Sequence, residues 1–175
     1  LGQSECHGLT IHNIMIFYLF QTGNALLVNK VVDHLQEEKL PLDEVTYNFL
    51  VYGFSRCKDV SSAVDHLCTM ISKDFRPSNR NLRIVITSLC GIGELEKAVG
   101  LCREMELRGW VHDSIIQNAI VEGLLSQGKL EEAEGFLDRM VEKCLVPENI
   151  NYDNLIKRFC SYGRLSKAVD LLNIV

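Results

Sequence analysis

No C-x-x-C pair occurs among the seven cysteines, and their number is odd. This spacing fits neither a zinc site nor a disulfide framework. The thiols read as free and mostly on apolar helix faces, as at Cys90, Cys102 and Cys160, the state of a reducing compartment. No apolar run reaches membrane-spanning length without interruption, so no membrane partner is expected. A glycine-rich phosphate loop, a paired-acid motif and a nucleophile elbow are all missing. His66 and Cys68, like Cys6 and His7, stand too close in sequence for helical ligands and have no third partner. No catalytic residue, metal, cofactor or small-molecule substrate is therefore expected, and the chain does not read as an enzyme. Charge of either sign is modest, 18 basic residues against 23 acidic, which argues against indiscriminate attraction to polyanions. The single tryptophan, Trp110, reads as a packing residue in a loop.

What the chain does hold is a period. Ala63, Ala98, Ala133 and Ala168 stand 35 residues apart, and Met70, Met105 and Met140 keep the same step, with Leu35 and Val175 completing their column. Gly23, Gly93, Gly128 and Gly163 form a third column, in which Lys58 fills the one gap. Self-similarity at such a period marks stacked repeats. The units are 9–43, 44–78, 79–113 and 114–148, preceded by a tail, 1–8, and followed by a partial unit, 149–175. Beginning without methionine and ending inside a unit, the chain reads as a segment of a longer array. Within 44–78, Tyr47, Leu50, Val51 and Phe54 follow helical spacing, and Val60, Ala63, Val64, Leu67, Met70 and Ile71 make a second apolar face. In 9–43 the second helix is expected over about Ala25 to Glu38. Thr46 is expected to cap the first helix of its unit and Pro77 to end the second. The column glycines supply the left-handed residue of a tight turn. No strand alternation competes, so the expected class is all-α, an α-solenoid of stacked helical hairpins. His66 stands where other units carry Leu101, Phe136 and Leu171, which makes it a core or boundary residue.

The strings VTYNFLVYGF, IIQNAIVEGLLSQGKLEEAEGFLDRMVEKCLVPE and NYDNLIKRFCSYGRLSKAVDLL resemble pentatricopeptide repeats. The period matches that family and not the roughly 34 residues of tetratricopeptide repeats, whose Trp and Leu-Gly signals are absent. Unbroken units resemble its pure-repeat class. The resemblance implies a right-handed superhelix that lays single-stranded RNA along the concave surface of its first helices, one base per unit. It implies an organellar transcript as partner, in processing, stabilisation, splicing or translation, and a mitochondrial location ahead of a plastid one.

By the same resemblance, the fifth and last residues of a unit together contact one base edge. The pairs are Asn13 with Asp43, Asn48 with Ser78, Arg83 with Asp113 and Asn118 with Glu148, and Asp153 stands without its partner. An amide both donates and accepts, so its neighbour can decide which base edge it satisfies. Asn13/Asp43 resembles a uracil reader and Asn48/Ser78 a cytosine reader. Arg83/Asp113 and Asn118/Glu148 depart from the usual pairs, and Arg83 is alternatively read as a salt bridge to Asp113. The second residue of each unit, Thr10, Val45, Arg80, Ile115 and Ile150, takes the place of an apolar clamp on the base faces, which suits Val45, Ile115 and Ile150 and suits Thr10 and Arg80 poorly. Only Arg56 is basic in the column expected near phosphates. Across the first helices, Arg56, Arg80, Arg83, Lys157 and Arg158 face Glu44, Glu122 and Asp153, while the acidic excess, Glu131, Glu132 and Glu134 included, belongs to an outer wall. RNA binding by this segment is expected to be weak. A second reading keeps the solenoid and makes it a scaffold gripping proteins of an organellar ribonucleoprotein or ribosome.

Overall fold

The computed structural model describes residues 2–110, 114–142 and 152–173, with side chains from residue 11 onward apart from 114, 140–142 and 154. Among the described residues there are ten helices and no strand: α1 (Gly2–Gln21), α2 (Ala25–Glu37), α3 (Glu44–Arg56), α4 (Val60–Ser72), α5 (Asn79–Gly91), α6 (Leu95–Leu107), α7 (Ser114–Ser126), α8 (Leu130–Glu142), α9 (Tyr152–Ser161) and α10 (Leu165–Leu172). The all-α expectation holds, and α2 ends within a residue of its expected bound. α1 runs unbroken through the tail assigned to 1–8.

Both kinds of turn are built the same way. In the turn inside each hairpin, the residue after the glycine column donates its N–H five residues back: Asn24 to Leu19, Asp59 to Phe54, Glu94 to Leu89, Lys129 to Leu124 and Arg164 to Phe159, all at 2.8–3.0 Å. With the preceding residue at positive φ, this is the Schellman closure, which satisfies carbonyls a helix end leaves orphaned. Lys58 adopts φ 62° where Gly23, Gly93, Gly128 and Gly163 adopt 75°, 85°, 73° and 74°, so the turn survives its one non-glycine. A second column of left-handed residues, Lys39, Asp74 and Gly109, ends the second helices. There Leu40, Phe75 and Trp110 donate to the carbonyls of Leu35, Met70 and Met105. Trp110 thus occupies the apolar position that follows such a turn, and the Arg108 guanidinium carbon lies 5.4 Å from its ring centroid.

The chain forms two compact units, one ending at Val85 and one beginning at Ile86. In the first, α1 packs on α2 and on α3, and α3 packs on α4. Leu50, Val51 and Phe54 of α3 and Ala63, Leu67 and Met70 of α4 are buried where the two helices pack. Burying a leucine of this kind is worth about 1.5–3 kcal/mol. Val60 and Val64 are only half-buried at the margin of that face. Phe20 meets Phe54 edge-on at 5.0 Å, and a Cβ on Gly53 would lie 2.2 Å from the Phe20 ring. A glycine is needed there for α1 to approach α3. His66 stacks on Phe54 with centroids 5.3 Å apart, the boundary place its repeat column implies.

Thr46 is not the cap of α3. The cap is Asp43, whose Oδ1 accepts from the Thr46 N–H (2.8 Å) and hydroxyl (2.7 Å). The helix starts nearly one turn earlier than expected, because a carboxylate caps better than a threonine that is itself fully buried. Asp59 caps α4 in the same manner through Ser62.

In the second unit α6 packs on α7, α7 on α8, and α9 on α10. Ala98, Ala133 and Ala168 are buried there, as Ala63 is in the first unit, and their small side chains let paired helices come close. Successive hairpins are also cross-linked by charge. Lys129 pairs with Glu96, Arg164 with Glu131 (2.6 Å), and Lys167 with Asp138. The first two pairs are the same contact advanced by one period, so the acidic wall carries cationic rungs. Cys102 is buried and Cys90 half-buried, and burial pushes both thiols up. Cys160, expected on an apolar face, is exposed.

Candidate functional site

Between α1, α3 and the start of α5 lies an open pocket of about 520 Å³. Val45, more than half exposed, and Arg80 both line it. Asn48, Ser78 and Asn81 form its polar end, and Phe17, Phe49 and Tyr52 its aromatic lining. Four residues singled out in the sequence therefore share one cavity: Val45, Asn48, Ser78 and Arg80. An adjoining pocket of about 370 Å³ shares Phe17, Gln21, Phe49 and Tyr52 and is bordered by Arg56 in the last turn of α3.

The polar end is a closed network. The Asn48 Nδ2 donates to the Glu44 carbonyl at 3.0 Å. Its Oδ1 accepts from the Ser78 N–H at 3.1 Å and from Asn81 Nδ2 at 2.8 Å. Asn81 Nδ2 also reaches the Asn48 carbonyl at 2.9 Å, and the Ser78 Oγ accepts from the Asn81 N–H at 3.3 Å. A backbone donor faces one end of the Asn48 amide and a backbone acceptor the other, so exchanging its oxygen and nitrogen would set like against like. Asn48 and Ser78, the fifth and last residues of one unit, are thus directly bonded.

Arg80 is poorly suited to an apolar clamp by its charge, yet it is held against Tyr52. Its guanidinium carbon lies 4.7 Å from the Tyr52 ring centroid, and its Nη2 donates to the Tyr52 hydroxyl at 3.2 Å. Such a guanidinium presents a planar face as well as a charge.

The remaining candidates are distributed along the helices. Asn13 of α1 is buried, at 9% exposure, and its Oδ1 has no hydrogen-bond partner. Asn118 of α7 is half-buried, and its Oδ1 is likewise buried and unpaired. An unmet buried carbonyl costs about 1–3 kcal/mol. Asp43 commits one carboxylate oxygen to capping α3. Arg83 is exposed on α5, Ile115 on α7 and Asp153 on α9, while Arg56 is exposed beside the smaller pocket. Thr10 lies within α1. Asp113, Glu148 and Ile150 lie outside the described residues, as does the salt bridge from Arg83 to Asp113. Asn81 was not singled out in the sequence. Its column holds Ile11, Thr46 and Ile116 in the other complete units, so no polar pattern marks it.

Among the described residues no group of three or more His, Cys, Asp or Glu side chains could hold a metal ion. No described helix is long and apolar enough to cross a membrane.

Comparison with known proteins completes the description. A family model described as a pentatricopeptide repeat-containing protein matches residues 20–140, and one for the PPR repeat matches residues 150–174. A mitochondrial pentatricopeptide repeat-containing protein of Arabidopsis thaliana is 45% identical over 128 residues, which is 73% of this chain and 10% of that protein. The chain thus spans about a tenth of that relative's length. Maize PPR10 superposes with a TM-score of 0.73 at 24% identity, over 95% of this chain and 24% of that one. The same maize protein in complex with an 18-nucleotide psaJ RNA element gives 0.59 at 24% identity, over 94% and 24%. The PPR domain of Arabidopsis protein-only RNase P 1, in complex with tRNA, gives 0.75 at 18% identity, over 94% and 86%. These likenesses share the helical-repeat solenoid fold.

Proposed function

Because the chain belongs to the pentatricopeptide repeat family, we propose that it binds single-stranded RNA selectively, one base to a hairpin, and acts on a transcript by occupying it. The observation that carries this is the pocket in which Val45, Asn48, Ser78 and Arg80 converge. A base entering it lies between the Val45 side chain and the Arg80 guanidinium, with its edge toward the Asn48 amide and the Ser78 hydroxyl. Arg56, beside the adjoining pocket, meets a phosphate. Asn13 and Asn118 hold the equivalent fifth positions of their units, each with an Oδ1 that is buried and unpaired. Arg83, Asp113, Glu148, Asp153, Thr10, Ile115 and Ile150 complete the proposed columns, in which Asp43 is the counterpart of Asn13. The complexes of maize PPR10 and of the RNase P 1 domain with RNA support the partner class, and the mitochondrial designation of the Arabidopsis relative supports that organelle as the place of action. The segment's role in this reading is binding, with no chemical step of its own.

Stacking supplies about 1–3 kcal/mol per base, while association costs on the order of 4–15 kcal/mol. Few phosphates are neutralised, so this segment alone binds in about the high-micromolar range. Titration with a labelled oligonucleotide containing UC tests the reading. Weak binding that disappears when Asn13 and Asn48 are both replaced by alanine is the expected result. Binding that survives the double replacement in a folded chain overturns base reading and favours a protein scaffold.

A further inference from the structure

We propose that Phe17, Phe49 and Tyr52 form an accessory stacking site, which holds a purine of the bound strand outside the row of bases that the paired columns contact. The inference rests on the RNA-binding reading above and goes beyond it, because none of the three rings belongs to those columns or to the clamp column.

The site is the smaller of the two cavities, about 370 Å³ between α1 and α3. Phe17 meets Phe49 edge-on with ring centroids 6.3 Å apart. Phe20 lines the same cavity and stands edge-on to the buried Phe54, which anchors the α1 wall in the core. Phe17 is 42% exposed, and Phe49 and Tyr52 are half-buried. Single exposed rings are ordinary, but three gathered round one cavity leave wet an apolar surface that a flat ligand would cover.

Charge says what kind of ligand. Arg56 borders this cavity, and the Arg80 guanidinium carbon lies 4.7 Å from the Tyr52 ring centroid. Among the described residues no carboxylate lines either cavity. Rings accompanied by cations alone suit a ligand with flat apolar faces and a negative charge, and a nucleotide joins the two in one residue. An apolar protein side chain would use the rings and leave the arginines idle. The Gln21 amide, also in the lining, both donates and accepts, so it rejects no base edge. Ring area is what remains to discriminate, and a two-ring purine covers more of the aromatic surface than a pyrimidine does.

The repeat supplies a comparison within the chain. Phe17 and Tyr52 hold the ninth place of their units, where the later units carry Thr87, Glu122 and Lys157. Phe49 holds the sixth, where Ile14, Ile84, Ala119 and Asn154 stand. In these columns the rings coincide with the basic Arg56 at one junction of hairpins and not at the later ones.

The test uses the whole chain and three oligonucleotides in which UC is flanked on both sides by adenine, by uracil or by abasic residues. Affinities and shifts of the aromatic ring protons are read together by NMR titration, and folding is checked by circular dichroism. The adenine-flanked strand is expected to bind about tenfold more tightly than the abasic-flanked one, the weight of one base–aromatic stack, with the uracil-flanked strand between them. Only the strands with flanking bases should move the ring protons of Phe17, Phe49 and Tyr52, a reading that needs no variant. Phe17→Leu, which belongs to no paired column, is expected to bring the tenfold ratio to about one. A loss equal for all three strands would mark a merely structural residue and overturn the proposal. Equal affinities of the unmodified chain for all three would overturn it while the RNA-binding reading stands, whereas binding to none would sink both. Free adenosine monophosphate that moves the same rings, with no gain in strand affinity, would make the cavity a nucleotide pocket and overturn the strand site. Ring signals that no nucleotide moves would overturn it too and give the cavity to an apolar side chain of a protein.

Discussion

At the scale of single residues, backbone conformation explains the turn that departs from its column. Lys58 holds φ 62° where every equivalent residue is glycine, and a left-handed conformation costs an L-residue about 1–2 kcal/mol. Glycine relieves that strain but loses more entropy on folding. Lys58→Gly is therefore expected to raise unfolding stability by about 0.5–1 kcal/mol, read as an upward shift of the urea midpoint with unchanged slope. The glycine column was legible because four of its five members share a residue type. The second turn column was not, since Lys39, Asp74 and Gly109 share only a dihedral angle. Asn81 was missed for a related reason: a lone polar residue near a helix start reads as a solvated one, and its role appears only once Asn48 is found within 3 Å.

At the scale of the element, the α3–α4 hairpin carries a histidine whose surroundings matter to folding. Burial beneath Phe54 and Tyr47 lowers the pKa of His66, against the opposing pull of Asp65 and Asp59. The folded state then resists protonation while the unfolded chain accepts it near the ordinary value of about 6.5. Its contribution is complete above that pKa and is lost as pH falls toward the depressed folded one. The urea midpoint is expected to drop between pH 7.5 and pH 5, and His66→Leu, the residue found at positions 101 and 171, to flatten that drop. An equal drop in the variant would assign the acid sensitivity elsewhere. Here the sequence was a good guide, because a histidine in a leucine column can hardly be anything but a packed one. Thr46 shows the opposite case. Residue type ranks an aspartate above a threonine as a cap, and it is the Asp43 carboxylate that holds the first turn of α3.

At the scale of the whole molecule, the acidic excess proves to be partly spoken for. Arg164 meets Glu131 at 2.6 Å and Glu134 at 3.6 Å, and Lys129 meets Glu96 one period earlier. The Lys129 hydrogen bond holds the Glu96 carboxyl below its usual range. Exposed pairs contribute at most about 1 kcal/mol, so Glu131→Lys is expected to lower the melting temperature by only about 1–3 °C. Adding Arg164→Glu should restore it, and high salt should erase both effects. Melting curves at low and high ionic strength check this. The acids and cations were all visible in the sequence, but their pairing requires the register between hairpins, which no single unit encodes.

The hydrogen bonds that reach back from Asn81 to Asn48 span 33 residues and cross from one hairpin into the next. Modules of this chain are therefore not self-contained words. Anyone grafting the 44–78 hairpin into a foreign array should place the splice beyond Asn81, since a cut after Ser78 would strip Asn48 of the hydrogen bonds that Asn81 donates to its carbonyl and its Oδ1.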